Sequence, residues 1–129
     1  NVNDERLAQE YSRCRAVIFT PFLEYGLIPL EASASGTPVI CYGKGGVEET
    51  MIPYGHSSNK PPTAHFFYEQ TSDALIQAVK EFETLSFDPT ALVKHAANWG
   101  VDAFRKKMRD ALNDFILFNE QTAFANKSG

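Results

Sequence analysis

Cysteine is scarce in this chain: Cys14 and Cys41 are the only two. A small disulfide-held scaffold needs a denser framework than that, so that class is excluded. Both cysteines lie among apolar residues and read as buried thiols in a reducing cytoplasm, with one bridge between them as the alternative. Long apolar runs are absent too, none approaching the ~20 residues that a membrane-spanning helix requires. Clustered positive charge is lacking: 12 Lys and Arg stand against 16 Asp and Glu, for a net charge of -4. The one basic run, Arg105-Lys106-Lys107, reads as a solvated helix face. Phosphate backbones are held mainly by grouped Lys and Arg, so a nucleic-acid partner is excluded. His56, His65 and His95 show no metal-ligand spacing, and no metal is expected. Ser33 and Ser35 have no neighbouring His, which removes a hydrolase nucleophile. Nothing resembles a signal peptide, and a first residue that is Asn1 rather than Met leads to the expectation of a cut fragment.

What is present suffices for one core: 129 residues, 43% of them hydrophobic. Asn3 is placed to cap a helix to about Arg13, with Leu7, Tyr11 and Cys14 on its apolar face. Ala16–Phe19 is an unbroken apolar run, as expected of a strand covered on both faces. A turn over 21–26 leads to a short helix from Ile28 or Pro29, whose small residues suit close packing on a sheet and which stops at Gly36. Strands follow at 37–42 and 64–68, separated by the turn Gly43-Lys44-Gly45-Gly46, a short helix at 47–52 and a polar loop over 53–63. Thr71 or Ser72 caps a helix to about Thr84, with Leu75, Val79 and Phe82 inward. Asp88-Pro89 is a strong start signal for another, to about Asn98, and Trp99 is expected to pack at its break. A terminal helix over 102–119 carries Phe104, Met108, Leu112, Phe115 and Ile116 on one face, read most simply as a core-facing stripe, with a face whose partner is missing from the chain as the alternative. Alternating strands and helices predict an α/β fold: a partial doubly wound, Rossmann-like parallel sheet of about three strands. One domain over 1–125 and a disordered tail over 126–129 complete the expected layout.

The chain is organised around the stretch Phe19–Glu31. In open α/β sheets ligands bind just beyond the carboxyl ends of strands. The following helix start offers free N–H groups and partial positive charge. Glu24 and Glu31 bracket that turn, an arrangement suited to a phosphorylated sugar or nucleotide. Lys44, Gly45 and Gly46 form a candidate phosphate or donor loop, beside the simpler readings of an exposed lysine and a tight turn.

The order helix, strand, Pro-x-x-Glu-Tyr-Gly, Pro-x-Glu-Ala, small residues, Gly-Thr-Pro-Val-Ile, Gly-Gly and Glu resembles the donor-binding, C-terminal half of the GT-B retaining glycosyltransferases of the family 4 type. The likeness runs from Asn3 to Ile52 and resumes near Phe66. Cys41-Tyr42-Gly43-Lys44-Gly45-Gly46, Phe66-Phe67-Tyr68-Glu69-Gln70-Thr71 and Phe87-Asp88-Pro89 lean towards GDP-mannose-dependent mannosyltransferases of bacterial polysaccharide assembly. The resemblance implies that Glu24 contacts hexose hydroxyls and Glu31 the ribose hydroxyls. It also implies that the backbone N–H groups of Tyr25, Gly26, Leu27 and Ile28 cradle sugar and diphosphate. Six residues separate Glu24 from Glu31 where the family has seven. A strict count therefore puts Leu23 in the first acid's place, and a deletion just after Glu24 restores Glu24.

The resemblance further implies a nucleotide-sugar donor, a glycan or lipid-linked glycan acceptor, and no other cofactor. A missing N-terminal domain would bring the phosphate-binding Arg/Lys pair, and no catalytic residue is assigned here. Location is expected to be cytoplasmic, peripheral at the inner membrane. The alternative is a non-catalytic nucleotide-binding module or an assembly-only fragment, inactive alone, that self-associates through an exposed strand edge or the terminal helix. His56, Asn59 and Lys60 read as variable loop rather than acceptor contacts.

Overall fold

The computed structural model describes residues 3–57 and 59–125, with side chains described as far as residue 119. The expected tail over 126–129 lies outside the described residues. Two compact units are present, Asn1–Ala97 and Asn98–Gly129.

In the first unit the local signals act where the sequence places them. Asn3 caps α1 (Asp4–Arg13), its side chain accepting from the N–H of Arg6 at 3.0 Å. β1 (Val17–Phe19) leads through the loop to α2 (Ile28–Ala34), then β2 (Val39–Tyr42), α3 (Val47–Thr50) and β3 (Ala64–Phe67). Thr71 caps α4 (Ser72–Phe82), and Asp88 caps α5 (Pro89–Ala96), accepting from Thr90 N–H at 2.9 Å. A 3-10 turn, Ala97–Trp99, follows. α2 ends in a Schellman motif: Gly36 has φ +78°, its N–H bonds to Ser33 O, and Thr37 N–H bonds to Ala32 O at 2.9 Å.

The sheet is parallel throughout, in the order β1-β2-β3. Val17, Ile18 and Phe19 pair with Val39, Ile40 and Cys41, and Val39–Tyr42 pair in step with Ala64–Phe67. The central strand β2 is buried on both faces. β1, expected to be covered on both, has Val17 half-buried, Ile18 exposed and only Phe19 buried, because it is an edge strand and α4 lies over β3 and β2. Ile40 packs with Phe67, Ala78 and Phe82, half-buried Leu75 and Val79 closing around them. Its neighbours Val39 and Cys41 point to the opposite face by the two-residue alternation of a strand and are fully buried. α2 lies along β1 and β2 and packs closely on α5, whose Leu92 is wholly buried.

Cys14 departs from expectation. It is exposed, whereas Cys41 is buried, and both are free. Cys14 is the C-cap residue of α1, where the backbone turns extended (φ -80°, ψ 148°) and leaves the helical face that Leu7 and Tyr11 continue. Its Sγ–H donates to Glu10 O at 3.1 Å.

The second unit is described by itself. Its helix α6 spans Val101–Ala125, longer at both ends than the expected 102–119. Phe104, Met108, Leu112, Phe115 and Ile116 are exposed rather than part of a core. Trp99 meets Lys107, whose Nζ stands 5.1 Å from the ring centre. Lys106 bonds Asp110 at 2.8 Å, and that carboxylate holds its pKa above the usual lysine value.

Candidate functional site

The loop between β1 and α2 stands at the carboxyl end of the sheet and is held by main-chain contacts. Gln70, in the turn before α4, donates from Nε2 to Thr20 O at 2.9 Å. Gly46 donates its N–H to Leu23 O at 2.8 Å. A Cβ on Gly45 would stand 2.5 Å from Leu23 O, and one on Gly46 would run into Glu24 O. The turn after β2 is therefore a seat for the loop after β1, backbone against backbone. Glu48 steadies that seat, its Oε2 accepting from Gly45 N–H at 3.1 Å. Gly26 approaches Phe19, where an added Cβ would lie 2.9 Å from Cζ. Glycine is thus required by main-chain contact at Gly45 and Gly46, while Gly26 packs against the Phe19 ring.

With their backbones so placed, the loop's side chains face outward. Glu24 and Lys44 are exposed, and Tyr25, Leu27 and Ile28 are 57%, 57% and 43% exposed. α2 begins without a side-chain cap, and its first turn contains Pro29, which has no N–H to offer. The first internal bond of the helix is Glu31 N–H to Leu27 O at 2.9 Å. Glu31 then projects towards α1, where Tyr11 donates its hydroxyl to Oε2 at 3.3 Å. Partial burial, followed by the Glu31 charge and that bond, raises the Tyr11 pKa, so the phenol stays protonated and a donor. Asp4, Leu7, Tyr11, Glu31 and Ser35 share a cleft of about 370 Å³ between α1 and α2.

The structure thus brings Gly45 and Gly46 together with the loop carrying Glu24 and Tyr25, while Glu31 opens onto the α1 side. A second cleft, about 380 Å³, lies beyond the glycine turn and is lined by Glu48, Glu49, His56, Lys60, Phe66 and Tyr68 among others. Two of the three loop residues singled out from the sequence, His56 and Lys60, are in its lining. Among the described residues no three His, Cys, Asp or Glu side chains gather as a metal site. Nor is any described helix long and apolar enough to cross a membrane.

Sequence reasoning missed Tyr11, Gln70 and the seating role of Gly46. Tyr11 was read only as part of an apolar face, and its hydroxyl was the unused signal. Gln70 acts on a carbonyl 50 positions away, for which no local pattern exists.

An open parallel sheet with flanking helices and an acid-bearing loop at its carboxyl end defines a GT-B-type, Rossmann-like half-domain. A solved structure, the sucrose-phosphate synthase from Thermosynechococcus elongatus, matches with a TM-score of 0.65 and 25% identity, over 91% of this chain and 29% of its own. The chain belongs to the glycosyl transferases group 1 family, whose model matches residues 1–106. The alpha-1,3/1,6-mannosyltransferase ALG2 of Candida glabrata is 28% identical over 93 residues, 70% of this chain. That of Eremothecium gossypii is 27% identical over 114 residues, 87% of this chain. The chain spans 20% and 21% of the length of these two curated relatives.

Proposed function

We propose that this chain is the donor-binding part of a retaining glycosyltransferase that moves a hexose, mannose from GDP-mannose, onto a glycan or lipid-linked glycan acceptor. The bond from the anomeric carbon to the diphosphate oxygen breaks, a bond to the acceptor oxygen forms as its hydroxyl proton passes to the departing diphosphate, and GDP leaves. Membership of the group 1 family supports the reaction class, and the likeness to two mannosyltransferases supports the sugar. The observation that carries the reading is the loop itself: Glu24 and Glu31 flank a strand-end turn fixed by its main chain.

In this reading Glu31 accepts hydrogen bonds from the ribose hydroxyls and Glu24 from the hexose. A carboxylate takes two hydroxyl protons at once, and charge-assisted bonds are about twice as strong as neutral ones. The N–H groups of Tyr25, Gly26, Leu27 and Ile28 meet sugar and diphosphate. Lys44, with Gly45 and Gly46, stands at the edge of the same site. The chain's contribution is binding and electrostatic stabilisation of the leaving diphosphate. A further domain supplies the cationic side chains and the acceptor site, at a cytoplasmic, membrane-peripheral location, and no other cofactor is needed.

GDP titrated into the full-length protein tests this. Loss of two charge-assisted bonds in Glu31→Ala, at about 1.5–3 kcal/mol each, should weaken binding by about 100-fold or more. Unchanged affinity overturns the assignment.

One observation favours self-association as a second property of the isolated chain. β1 pairs only with β2 among the described residues, and its Ile18 is 52% exposed. An apolar open edge invites pairing with another chain. Light scattering should show dimers or larger species, and a monodisperse monomer at high concentration refutes it.

A further inference from the structure

Resting on the reading of Glu31 as the ribose-binding acid, we propose that Tyr11 is the positioning residue that sets the Glu31 carboxylate for the ribose diol of a nucleoside diphosphate. Three tied elements place the phenol. The Schellman motif ending α2 delivers Thr37. The buried Thr37 donates its hydroxyl to Tyr11 O at 2.7 Å, and Cys14 N–H reaches the same carbonyl at 3.0 Å. Thr37 thereby fastens the end of α2 to the last turn of α1. Across that junction the Tyr11 hydroxyl donates to Glu31 Oε2 at 3.3 Å.

A free glutamate on an exposed helix turn explores several rotamers, and fixing it on binding costs affinity. A donor from a half-buried ring, on a backbone anchored twice, removes part of that cost beforehand. At 3.3 Å the contact is longer than the ~2.7 Å of a strong O–H···O bond, so it steers the carboxylate without saturating it. An ionised carboxylate offers about four acceptor positions. Tyr11 takes one on Oε2, which leaves the outward positions for two ribose hydroxyls. The raised pKa of Tyr11 agrees with this, because the phenol remains a donor through any ordinary assay pH.

The test is a double-mutant cycle in the full-length protein, with Tyr11→Phe, Glu31→Ala and the double variant, each titrated with GDP and with 2′,3′-dideoxy-GDP. Tyr11→Phe removes only the hydroxyl and is expected to weaken GDP by about fivefold. It should leave dideoxy-GDP affinity and the urea midpoint unchanged, and have no further effect once Glu31 is Ala. Equal GDP affinity in wild type and Tyr11→Phe, where Glu31→Ala has weakened binding, overturns the positioning role alone. An equal loss for GDP and dideoxy-GDP overturns it too, since it marks a structural role. No loss in Glu31→Ala overturns this proposal together with the donor-site reading.

Discussion

The contact between the glycine turn and the loop after β1 separates two reasons for glycine, close approach and positive φ, into three substitutions. Gly46 has φ -59°, which alanine adopts freely. Its Cβ, however, would run into Glu24 O and stand 2.8 Å from Glu24 C and 3.1 Å from Tyr25 Cα, all main-chain atoms that cannot rotate away. Gly36 is the converse: φ is +78°, yet the nearest atom to an added Cβ is Pro89 Cβ at an ordinary 3.4 Å. Gly45 combines both, with φ +85° and Leu23 O at 2.5 Å. Overpacking costs about 1–3 kcal/mol, and a left-handed alanine about 1–2 kcal/mol. Stiffening the unfolded chain returns about 0.4–1 kcal/mol in each case. Gly36→Ala should therefore destabilise by about 1 kcal/mol, Gly46→Ala, whose clash is with main chain, by about 2 kcal/mol, and Gly45→Ala by about 3 kcal/mol. Urea denaturation gives these values. Under the proposed donor-site reading, GDP affinity of the full-length protein separates the first two: Gly46→Ala should displace the loop and weaken GDP, whereas Gly36→Ala should not. Wild-type stability and affinity in Gly46→Ala, or a Gly36→Ala as damaging as Gly45→Ala, would refute the reasoning.

Two further outcomes are expected. Ser33 Oγ is fully buried with no hydrogen-bond partner among the described residues. Ser33→Ala in α2 should then raise stability by about 1 kcal/mol, by removing an unsatisfied hydroxyl and adding helix propensity; a lower urea midpoint would show that the hydroxyl is paired. Burial pushes the Cys41 thiol from its ordinary 9.0 up to about 12. A raised folded pKa means that the stabilisation is complete below about pH 9 and is lost as pH rises towards 12, by about 1.4 kcal/mol per pH unit. Stability measured from pH 8 to 10.5 should fall more steeply in wild type than in Cys41→Ala, and parallel curves would contradict this.

The elements were legible because their causes are local. Asn3, Thr71 and Asp88 cap helices whose starts each can satisfy with one side-chain oxygen, and Gly36 marks a stop with a positive φ. The unbroken apolar run of β1 led to an expectation of burial on both faces, yet only its Phe19 is buried and Ile18 is exposed; two-sided burial belongs to β2. Side-chain direction at element ends was not legible. Cys14 follows Leu7 and Tyr11 at helical spacing, but the backbone has already left the helix there. The same holds for α6, where period alone cannot say whether Phe104 or Phe115 meets a partner, and both are exposed. The residues that assemble the site lie far apart in sequence: Tyr11 and Glu31 by 20 positions, Gln70 and Thr20 by 50. Glu24 and Glu31 stand out because they flank a recognisable turn. Gly45-Gly46 is equally visible as a tight turn, but that it seats the loop after β1, and that Gln70 reaches Thr20 O, has no local pattern to announce it.

Gly46 holds the loop by a hydrogen bond from its N–H to Leu23 O and by close packing against the Glu24 main chain, contacts that use no side chain of the loop. Phe22, Leu23 and Tyr25 are exposed as well as Glu24, so these four positions can be replaced together while the main chain keeps its course. The turn behaves as a socket with interchangeable fittings. With the proposed donor site at this turn, libraries at 22–25 on an intact Gly45-Gly46 turn should change donor preference without changing the urea midpoint.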